Sequence, residues 1–525
     1  MKKNFCECEI AKGAAKNAKK FREGEIAEGA TKKVLLVKYG EISLRKGNRA
    51  HFEHALLDTI RAKLCDFSGV RVSREQGRFL VENIDGDLDI SAVLPRIKNI
   101  FGIAGFCFAI KTNERDLEKL KIIGRDFFLA HIEKNFSRDE KNRDEKNRDE
   151  NFSFSCDEKN RGENFSFSCD EKNRDEKNRD ENFSFSCDEK NRGEKFRDEN
   201  FSFSCDEKNR DEKNRGEYFS FSSDEKFRDE KNHNPQKITF RVETKRSDKN
   251  FPGTSTEISS AIGEAIFLAQ NNSLAVDLHN PKVTLWVEIR NDVYFYVDGA
   301  RGEGGLPYGS SGKGILLLSG GFDSPVAGFL TARRGVEIIA AYFHSPPFTS
   351  ERAAEKARDL AKQLSRYTGR IKLHEIPFTE VQIFLKEKVA DVKLTIFLKR
   401  AMLHIASRLA AREKALCLIT GDSVGQVASQ TIHSLAAVES AASLPILRPL
   451  AAFDKQEIID LSQKIGTYEI SVRPYEDCCT IFVAKHPENK PVAPIIENLE
   501  ARFFDELSKK FDDAISATQT TIFTI

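Results

Sequence analysis

The chain has 525 residues, enough for about three domains and a sizeable core. Its 83 basic and 82 acidic residues give a formal net charge of +1, so overall charge singles out no nucleic-acid, membrane or acidic partner. No apolar run is long enough for a transmembrane helix, and we expect no membrane partner. Residues 1–33 are basic and lack the apolar core of a secretory signal. They predict a disordered leader and a cytoplasmic protein with mostly reduced cysteines.

The first structured segment alternates strand and helix patterns. Residues 34–38 are apolar and predict a strand, and the apolar spacing within 50–64 predicts a helix. Strands are predicted at 70–72 and 78–81, and a helix at 90–98. This α/β alternation with interleaved lysines and arginines is compatible with RNA binding, but composition alone does not decide it.

Residues 135–231 repeat a charged Asp-Glu-Lys-Asn-Arg block and a Phe-Ser-Phe-Ser-Cys motif. The evenly spaced cysteines raise the alternative of a metal site, but no histidine accompanies them and the repeat itself explains their spacing. The blocks lack a sustained apolar face, so burial cannot offset the loss of chain entropy. We therefore predict a disordered insertion.

With the insertion excluded, residues 31–134 and 233–309 are predicted to form one continuous module. Its second part contains a strand at 237–242, a helix at 255–269 and a hairpin over 282–297.

From residue 314 onward the pattern predicts parallel strands alternating with helices. An apolar strand at 315–318 is followed by Ser319-Gly320-Gly321-Phe322-Asp323-Ser324 and then by a helix with proline in its first turn. Two glycines let a ligand approach the main chain, and the amides of the turn and helix N-terminus favour anionic oxygen. The sequence of this turn lacks the Gly-Lys-Ser/Thr of a Walker A loop. The strand, turn and helix together predict a phosphate-binding loop, with a ligand-free glycine-rich turn as the alternative.

Further strands are predicted at 336–343, 371–376 and 415–420, with helices from 351 and over 381–412. In a parallel sheet with right-handed crossovers, the loops that follow the strands share one edge. The phosphate-binding loop, Tyr342-Phe343-His344 and Thr420-Gly421-Asp422 should therefore converge on a nucleotide site.

The Ser-Gly-Gly-Phe-Asp-Ser order resembles the PP-loop of ATP pyrophosphatases, which split ATP between the α and β phosphates. With Lys38-Tyr39-Gly40-Glu41, Arg45-Lys46-Gly47-Asn48-Arg49, the segment from Gly421 to Thr431 and the Pro474-Tyr475-Glu476-Asp477-Cys478-Cys479 stretch, the chain closely resembles the tRNA 4-thiouridine synthetase (tRNA sulfurtransferase) family. The resemblance covers residues 34–487 apart from the insertion. It implies an α/β protein with an N-terminal ferredoxin-like domain, a THUMP domain and a PP-loop ATP pyrophosphatase domain with a Rossmann-like parallel sheet.

On this resemblance the chain divides into six segments. They are a leader at 1–33, a ferredoxin-like domain at 34–93, an RNA-binding THUMP domain at 94–299 that contains the insertion 135–231, a linker at 300–313, the PP-loop domain at 314–487, and a C-terminal helix and tail at 488–525.

The resemblance also implies site residues. Those at the ATP site are Leu317, Leu318, Ser319, Gly320, Gly321, Ser324, Tyr342, Phe343, Arg400, Gly421 and Gln430. Asp323 would act in catalysis and hold Mg²⁺, and Cys478 or Cys479 would handle sulfur. From the residues alone, Arg400 is better interpreted as a solvated helix charge and adjacent cysteines as packing groups, and only the resemblance reverses these interpretations.

The implied reaction makes 4-thiouridine at tRNA position 8. ATP adenylates the uridine O4, and a persulfide sulfur then attacks C4 and releases AMP. Implied partners are tRNA, a cysteine desulfurase or other persulfide donor, and a second copy of the chain. Only 46 residues follow Cys479, too few for the rhodanese domain of some members, so the sulfur carrier and a secondary role in thiamine thiazole synthesis stay open. The alternatives are a non-catalytic THUMP-type RNA-binding protein and another PP-loop tRNA-modifying enzyme.

Overall fold

A computed structural model describes residues 31–45, 47–149, 237–270, 273–475 and 488–524. The chain divides into one unit formed by Met1–Phe127 with Lys237–Ile525, and a second unit, Phe128–Gln236. Most of the predicted leader and insertion therefore lies outside the described residues. None of the helices within the described residues combines the length and apolar character needed to cross a membrane.

The first sheet has eight strands, which come from both sides of the second unit in the sequence. The strands are β1 (Thr31–Tyr39), β2 (Val70–Glu75), β3 (Arg78–Asn83), β4 (Ile103–Thr112), β5 (Ile238–Arg246), β6 (Leu274–Val276), β7 (Val283–Ile289) and β8 (Val293–Arg301). Their order in the sheet is β2-β3-β1-β4-β8-β7-β5-β6. Because β4 pairs antiparallel with β8, with Phe108 opposite Val297, the predicted continuity of the two sequence segments is confirmed.

Four helices accompany this sheet. They are α1 (Arg49–Lys63), α2 (Ile90–Ile97), α3 (Leu117–Asp149) and α4 (Ser255–Ala269). The apolar spacing of α1 places Leu56 and Ile60 in one core with Leu35 and Val37 of β1, as alternation along a strand requires. Residues 135–149 were predicted to be disordered, but they continue α3. Glutamate, lysine and arginine in those blocks are good helix formers, which accounts for the difference.

The second sheet has six strands in the order β13-β12-β9-β10-β11-β14. Its first elements are β9 (Lys313–Leu317), α5 (Asp323–Arg333), β10 (Glu337–His344), α6 (Glu351–Thr368), β11 (Arg370–Pro377), α7 (Thr379–Lys388), α8 (Asp391–Glu413), β12 (Cys417–Ile419), α9 (Ile432–Glu439), β13 (Ile446–Leu447), α10 (Lys455–Ile465) and α11 (Tyr468–Ser471). Strands β9 to β13 pair in parallel, as predicted. Apolar clusters bury both faces, as a parallel sheet requires.

The C-terminal segment completes this sheet instead of ending as a tail. Helices α12 (Ala493–Ala501) and α13 (Phe504–Ser516) are followed by β14 (Gln519–Thr524). Strand β14 pairs antiparallel with β11, and Phe523 lies opposite Ile371. The prediction of a single helix and a tail was therefore wrong. The threonines, isoleucine and phenylalanine of β14 suit an edge strand, but its partner lies far away in the sequence.

We expect truncation after Ser516 to lower the stability of the second sheet. The deletion removes the pairing to β11 and the packing of Phe523 against the core, for a loss of about 2 kcal/mol or more. Denaturant unfolding measures the difference. Ile522→Thr is the matched control, because Ile522 is 46% exposed and threonine keeps strand propensity. A truncated chain as stable as the full chain would contradict this role for β14.

Candidate active site

The phosphate-binding loop joins the end of β9 to the start of α5. The main-chain N–H of Ser319 donates to Oγ of Ser324 at 2.8 Å, and the two Oγ atoms lie 3.0 Å apart. Ser471 Oγ donates to the carbonyl oxygen of Gly321 at 3.2 Å, which fixes the middle of the loop. The loop therefore holds its shape through its own serines and one contact from α11.

The turn after β12 touches the first turn of α5. A Cβ atom at Gly421 would lie 2.7 Å from both the carbonyl carbon of Asp323 and the nitrogen of Ser324. Only glycine fits there without displacing main chain. This contact brings two of the predicted strand ends together.

A cavity of about 190 Å³ opens at this edge of the sheet. Its residues come from three strand ends and from α8, α9 and β13. They are Leu317, Leu318, Ser319, Asp323, Ser324, Tyr342, Phe343, Lys399, Met402, Leu403, Thr420, Gly421, Asp422, Gln430, Val438, Ile446 and Arg448. Nine of the predicted site residues thus lie on its wall, while Gly320 and Gly321 belong to the loop beside it.

Polar groups in the cavity converge on Asp422. Its Oδ1 lies 3.2 Å from Nζ of Lys399 and accepts from Nε2 of Gln430 at 3.4 Å, while Oδ2 lies 3.8 Å from Nε of Arg448. Burial would raise the pKa of Asp422, but the lysine and arginine charges and the Thr420 hydroxyl hold that pKa below its ordinary value. Asp422 is therefore an ionised carboxylate that orders two cations.

Asp323 has a lysine partner too. Nζ of Lys455 lies 2.9 Å from its Oδ1, and Gln426 donates to Oδ2 at 3.4 Å. The described residues contain no group of three or more His, Cys, Asp or Glu side chains able to hold a metal ion by themselves. Mg²⁺ is usually bound by one or two carboxylates together with substrate phosphates, so Asp323 and Asp422 fit an ion that enters with a nucleotide.

Arg400 does not lie at the cavity, contrary to the prediction. Its side chain is buried, with Nη2 2.5 Å from Oε2 of Glu500 and Nη1 donating to Oγ of Ser440 at 2.7 Å. Consecutive residues of a helix point about 100° apart, so Lys399 faces the cavity and Arg400 faces α9 and α12.

Sequence reasoning placed Asp422 at this edge of the sheet without assigning it a role, and it missed Lys399 and Arg448 as site residues. One signal was present for Lys399: it shares a helix face with Met402 and Leu403, at spacings of three and four, and all three line the cavity. No comparable local pattern marks Arg448, which follows the short strand β13.

The predicted sulfur-handling residues, Cys478 and Cys479, lie outside the described residues. Both flanks of that segment are anchored. Lys356 of α6 donates to the carbonyl oxygen of Arg473 at 2.9 Å, and Thr431 donates to the carbonyl oxygen of Asn489 at 2.7 Å. Thr431 follows Gln430 of the cavity wall, so the second flank is attached beside the cavity.

The fold and the site together define a nucleotide-dependent enzyme of the PP-loop class. Its N-terminal module is of a type that binds RNA. Family models agree. They match "Thiamine biosynthesis protein (ThiI)" over residues 309–504, the "ThiI ferredoxin-like domain" over 34–107 and the THUMP domain over 225–298.

Curated relatives and a solved structure identify the family. A probable tRNA sulfurtransferase of Lachnoclostridium phytofermentans is 38% identical over 91% of this chain and 95% of its own length. One from Caldanaerobacter subterraneus is 37% identical over 90% of this chain and 96% of its own length. A crystal structure of a 4-thiouridine synthetase–RNA complex with bound ATP matches with a TM-score of 0.68 and 30% identity, covering 94% of this chain and 99% of that one. The chain belongs to the tRNA sulfurtransferase family.

We expect Gly421→Ala to weaken ATP binding by about tenfold or more, because the new methyl group must displace the first turn of α5. Titration calorimetry with ATP measures the loss. Gly263→Ala in α4 is the matched control, since its Cβ would have ordinary contact with Val242 at 3.7 Å. Wild-type affinity in Gly421→Ala would show that this contact does not shape the site.

Arg400 and Glu500 should behave as a structural ion pair. Removing either partner alone leaves a buried charge and should cost about 3–5 kcal/mol of unfolding free energy. The double variant Arg400→Met/Glu500→Leu should recover most of that loss and bind ATP as the wild type does. A stable double variant with strongly weakened ATP binding would restore Arg400 as an ATP contact.

Proposed function

We propose that the protein is an ATP-dependent tRNA sulfurtransferase that forms 4-thiouridine at position 8 of tRNA. The observation that carries the proposal is the cavity in which the phosphate-binding loop meets Lys399, Asp422 and Gln430. The ATP-bound, RNA-bound relative of similar fold supports both substrates.

The cavity suggests an orientation for ATP. Its apolar part, formed by residues such as Phe343, Met402 and Val438, suits an adenine ring. Oε1 of Gln430 is buried without a hydrogen-bond partner among the described residues, so it can accept from the adenine amino group. The phosphates then lie against the Ser319–Ser324 turn and the N-terminus of α5.

The chemistry follows from the uracil C4 carbonyl, which is amide-like and loses oxygen poorly. Attack of O4 on the α-phosphorus releases pyrophosphate and turns O4 into part of a good leaving group, AMP. The terminal sulfur of a cysteine persulfide then attacks C4, and the C4–O bond breaks. A second thiol then attacks the carrier cysteine's sulfur, so that the sulfur–sulfur bond to the C4 sulfur breaks, a disulfide forms between the two thiols, and sulfur stays on C4. A thiol reductant, such as the cysteine of the assay, returns the disulfide to two thiols.

Individual residues have distinct tasks in this scheme. Lys399 and the loop amides stabilise charge that develops on the phosphates. Asp323 and Asp422 would hold Mg²⁺, which supplies charge neutralisation on the phosphate oxygens when bound. Cys478 or Cys479 carries the persulfide received from a cysteine desulfurase or another donor. The ferredoxin-like and THUMP domains bind tRNA, and a second subunit completes a homodimer. Sulfur transfer for the thiamine thiazole is a secondary proposal.

Reconstitution tests the proposal. Purified protein, unmodified tRNA, ATP with Mg²⁺, a cysteine desulfurase and cysteine should yield 4-thiouridine, measured by nucleoside mass spectrometry. We expect Lys399→Met to lower the rate by about a hundredfold, as loss of a transition-state charge contact does. Arg412→Met, an exposed cation on the same helix, should leave the rate unchanged. Equal rates in both variants would remove Lys399 from the mechanism.

Cysteine variants separate the remaining outcomes. Product lost in Cys478→Ser or in Cys479→Ser alone identifies the thiol that carries sulfur. ATP-dependent adenylation of tRNA without thiolation keeps the PP-loop chemistry and points to a missing sulfur carrier. If wild-type protein binds tRNA but neither adenylates nor thiolates it, the non-catalytic RNA-binding alternative replaces the proposal.

A further inference from the structure

A second, smaller cavity lies where the ferredoxin-like segment meets the PP-loop domain. It has a volume of about 100 Å³ and is lined by α1, α2, the linker and the C-terminal end of α6. The space is large enough to admit a phosphate group.

Three cations line this cavity: Lys63, Arg96 and Arg366. None of the described carboxylates lines it. Among the described residues, Lys63 and Arg366 form no ion pair, and Arg96 Nη2 lies 3.9 Å from Asp66 Oδ2, at the outer limit for such a pair. Burial lowers the pKa of Lys63, and the positive charge of the neighbouring Arg96 lowers it further.

Helix ends account for only part of this charge. Lys63, Arg96 and Arg366 lie in the last turns of α1, α2 and α6, where a helix C-terminus carries about half a negative charge. Three such ends offset about one and a half of the three positive charges. Asp66, near Arg96, offsets a further part, and the cluster keeps a smaller excess of positive charge around an open space. Asn99 on the same wall adds a neutral hydrogen-bonding group.

Gly369 lies on the wall of the cavity. It ends α6 with φ of +75°, and a Cβ atom there would lie 3.6 Å from Nζ of Lys63. The lysine ammonium therefore sits directly against the end of α6, with no side chain from residue 369 between them.

We propose that this cavity binds a phosphate group and that Lys63, Arg96 and Arg366 are its ligands. This inference rests on the proposed function, and the phosphate group is a backbone phosphate of the bound tRNA. A phosphate held between the two segments would position the RNA relative to the catalytic sheet without reading its sequence.

The test compares tRNA binding across a range of salt concentrations. Lys63→Gln and Arg366→Gln should each weaken binding by about tenfold and lower the slope of log K against log salt by about one. Lys509→Gln, an exposed cation on α13, makes the same charge change and should alter neither quantity.

A second arm identifies the source of the phosphate. Inorganic phosphate is titrated into wild type, Lys63→Gln and Lys509→Gln by calorimetry. A binding component lost only in Lys63→Gln, with an unchanged tRNA salt slope, would assign the cavity to a free anion and overturn the RNA contact. Unchanged tRNA binding and unchanged phosphate binding would overturn the site. A lower melting temperature with an unchanged slope would also overturn it, by making Lys63 a structural residue.

Failure of the proposed function is a separate result. If wild-type protein does not bind tRNA, that function fails, and the phosphate titration alone decides whether the cavity is an oxyanion site.

Discussion

The catalytic sheet depends on one close approach, that of Gly421 to the first turn of α5. The turn after β12 can lie against Asp323 and Ser324 only because residue 421 has no side chain. This contact brings Asp422 to the same cavity as the phosphate-binding loop, and Asp422 in turn orders Lys399. As a result, the phosphate-binding loop and the ammonium group of Lys399 lie on the same cavity, where the lysine could neutralise a bound phosphate.

The charges that matter for ligand binding are concentrated at particular sites and do not show in the overall net charge. The net charge of +1 conceals two different arrangements: cations and carboxylates together on the wall of the catalytic cavity, and three cations on the wall of the cavity between α1, α2 and α6. In the catalytic cavity, Asp422 and Asp323 each have a lysine partner, Lys399 and Lys455. A polyphosphate would compete with these carboxylates for the same ammonium groups. None of the described carboxylates lies on the wall of the second cavity, so an acidic side chain of that wall would not compete with a phosphate there.

Continuity of the first sheet explains how a long repeat segment is tolerated. Strands β4 and β8 pair along most of their length although the second unit separates them in the sequence. Since the entropic cost of closing a loop grows only slowly with its length, the intervening residues add little to the cost of forming this sheet. The last strand of this sheet in the sequence, β8, is followed by the linker that leads to β9.

The sequence by itself determined the strand–turn–helix at Ser319–Ser324 and the convergence of Tyr342, Phe343 and Gly421. Those features depend on local apolar runs, glycine-rich turns and the rule that parallel strands end at one edge. Tertiary structure alone decided that Lys399 reaches the cavity while Arg400 pairs with Glu500, and that the chain end forms β14. The contact between Arg400 and Glu500 helps to fix the rotation of α8 about its axis, and pairing with β11 fixes the place of β14. In both cases the two partners are about a hundred or more residues apart in the sequence, so no local pattern encodes them.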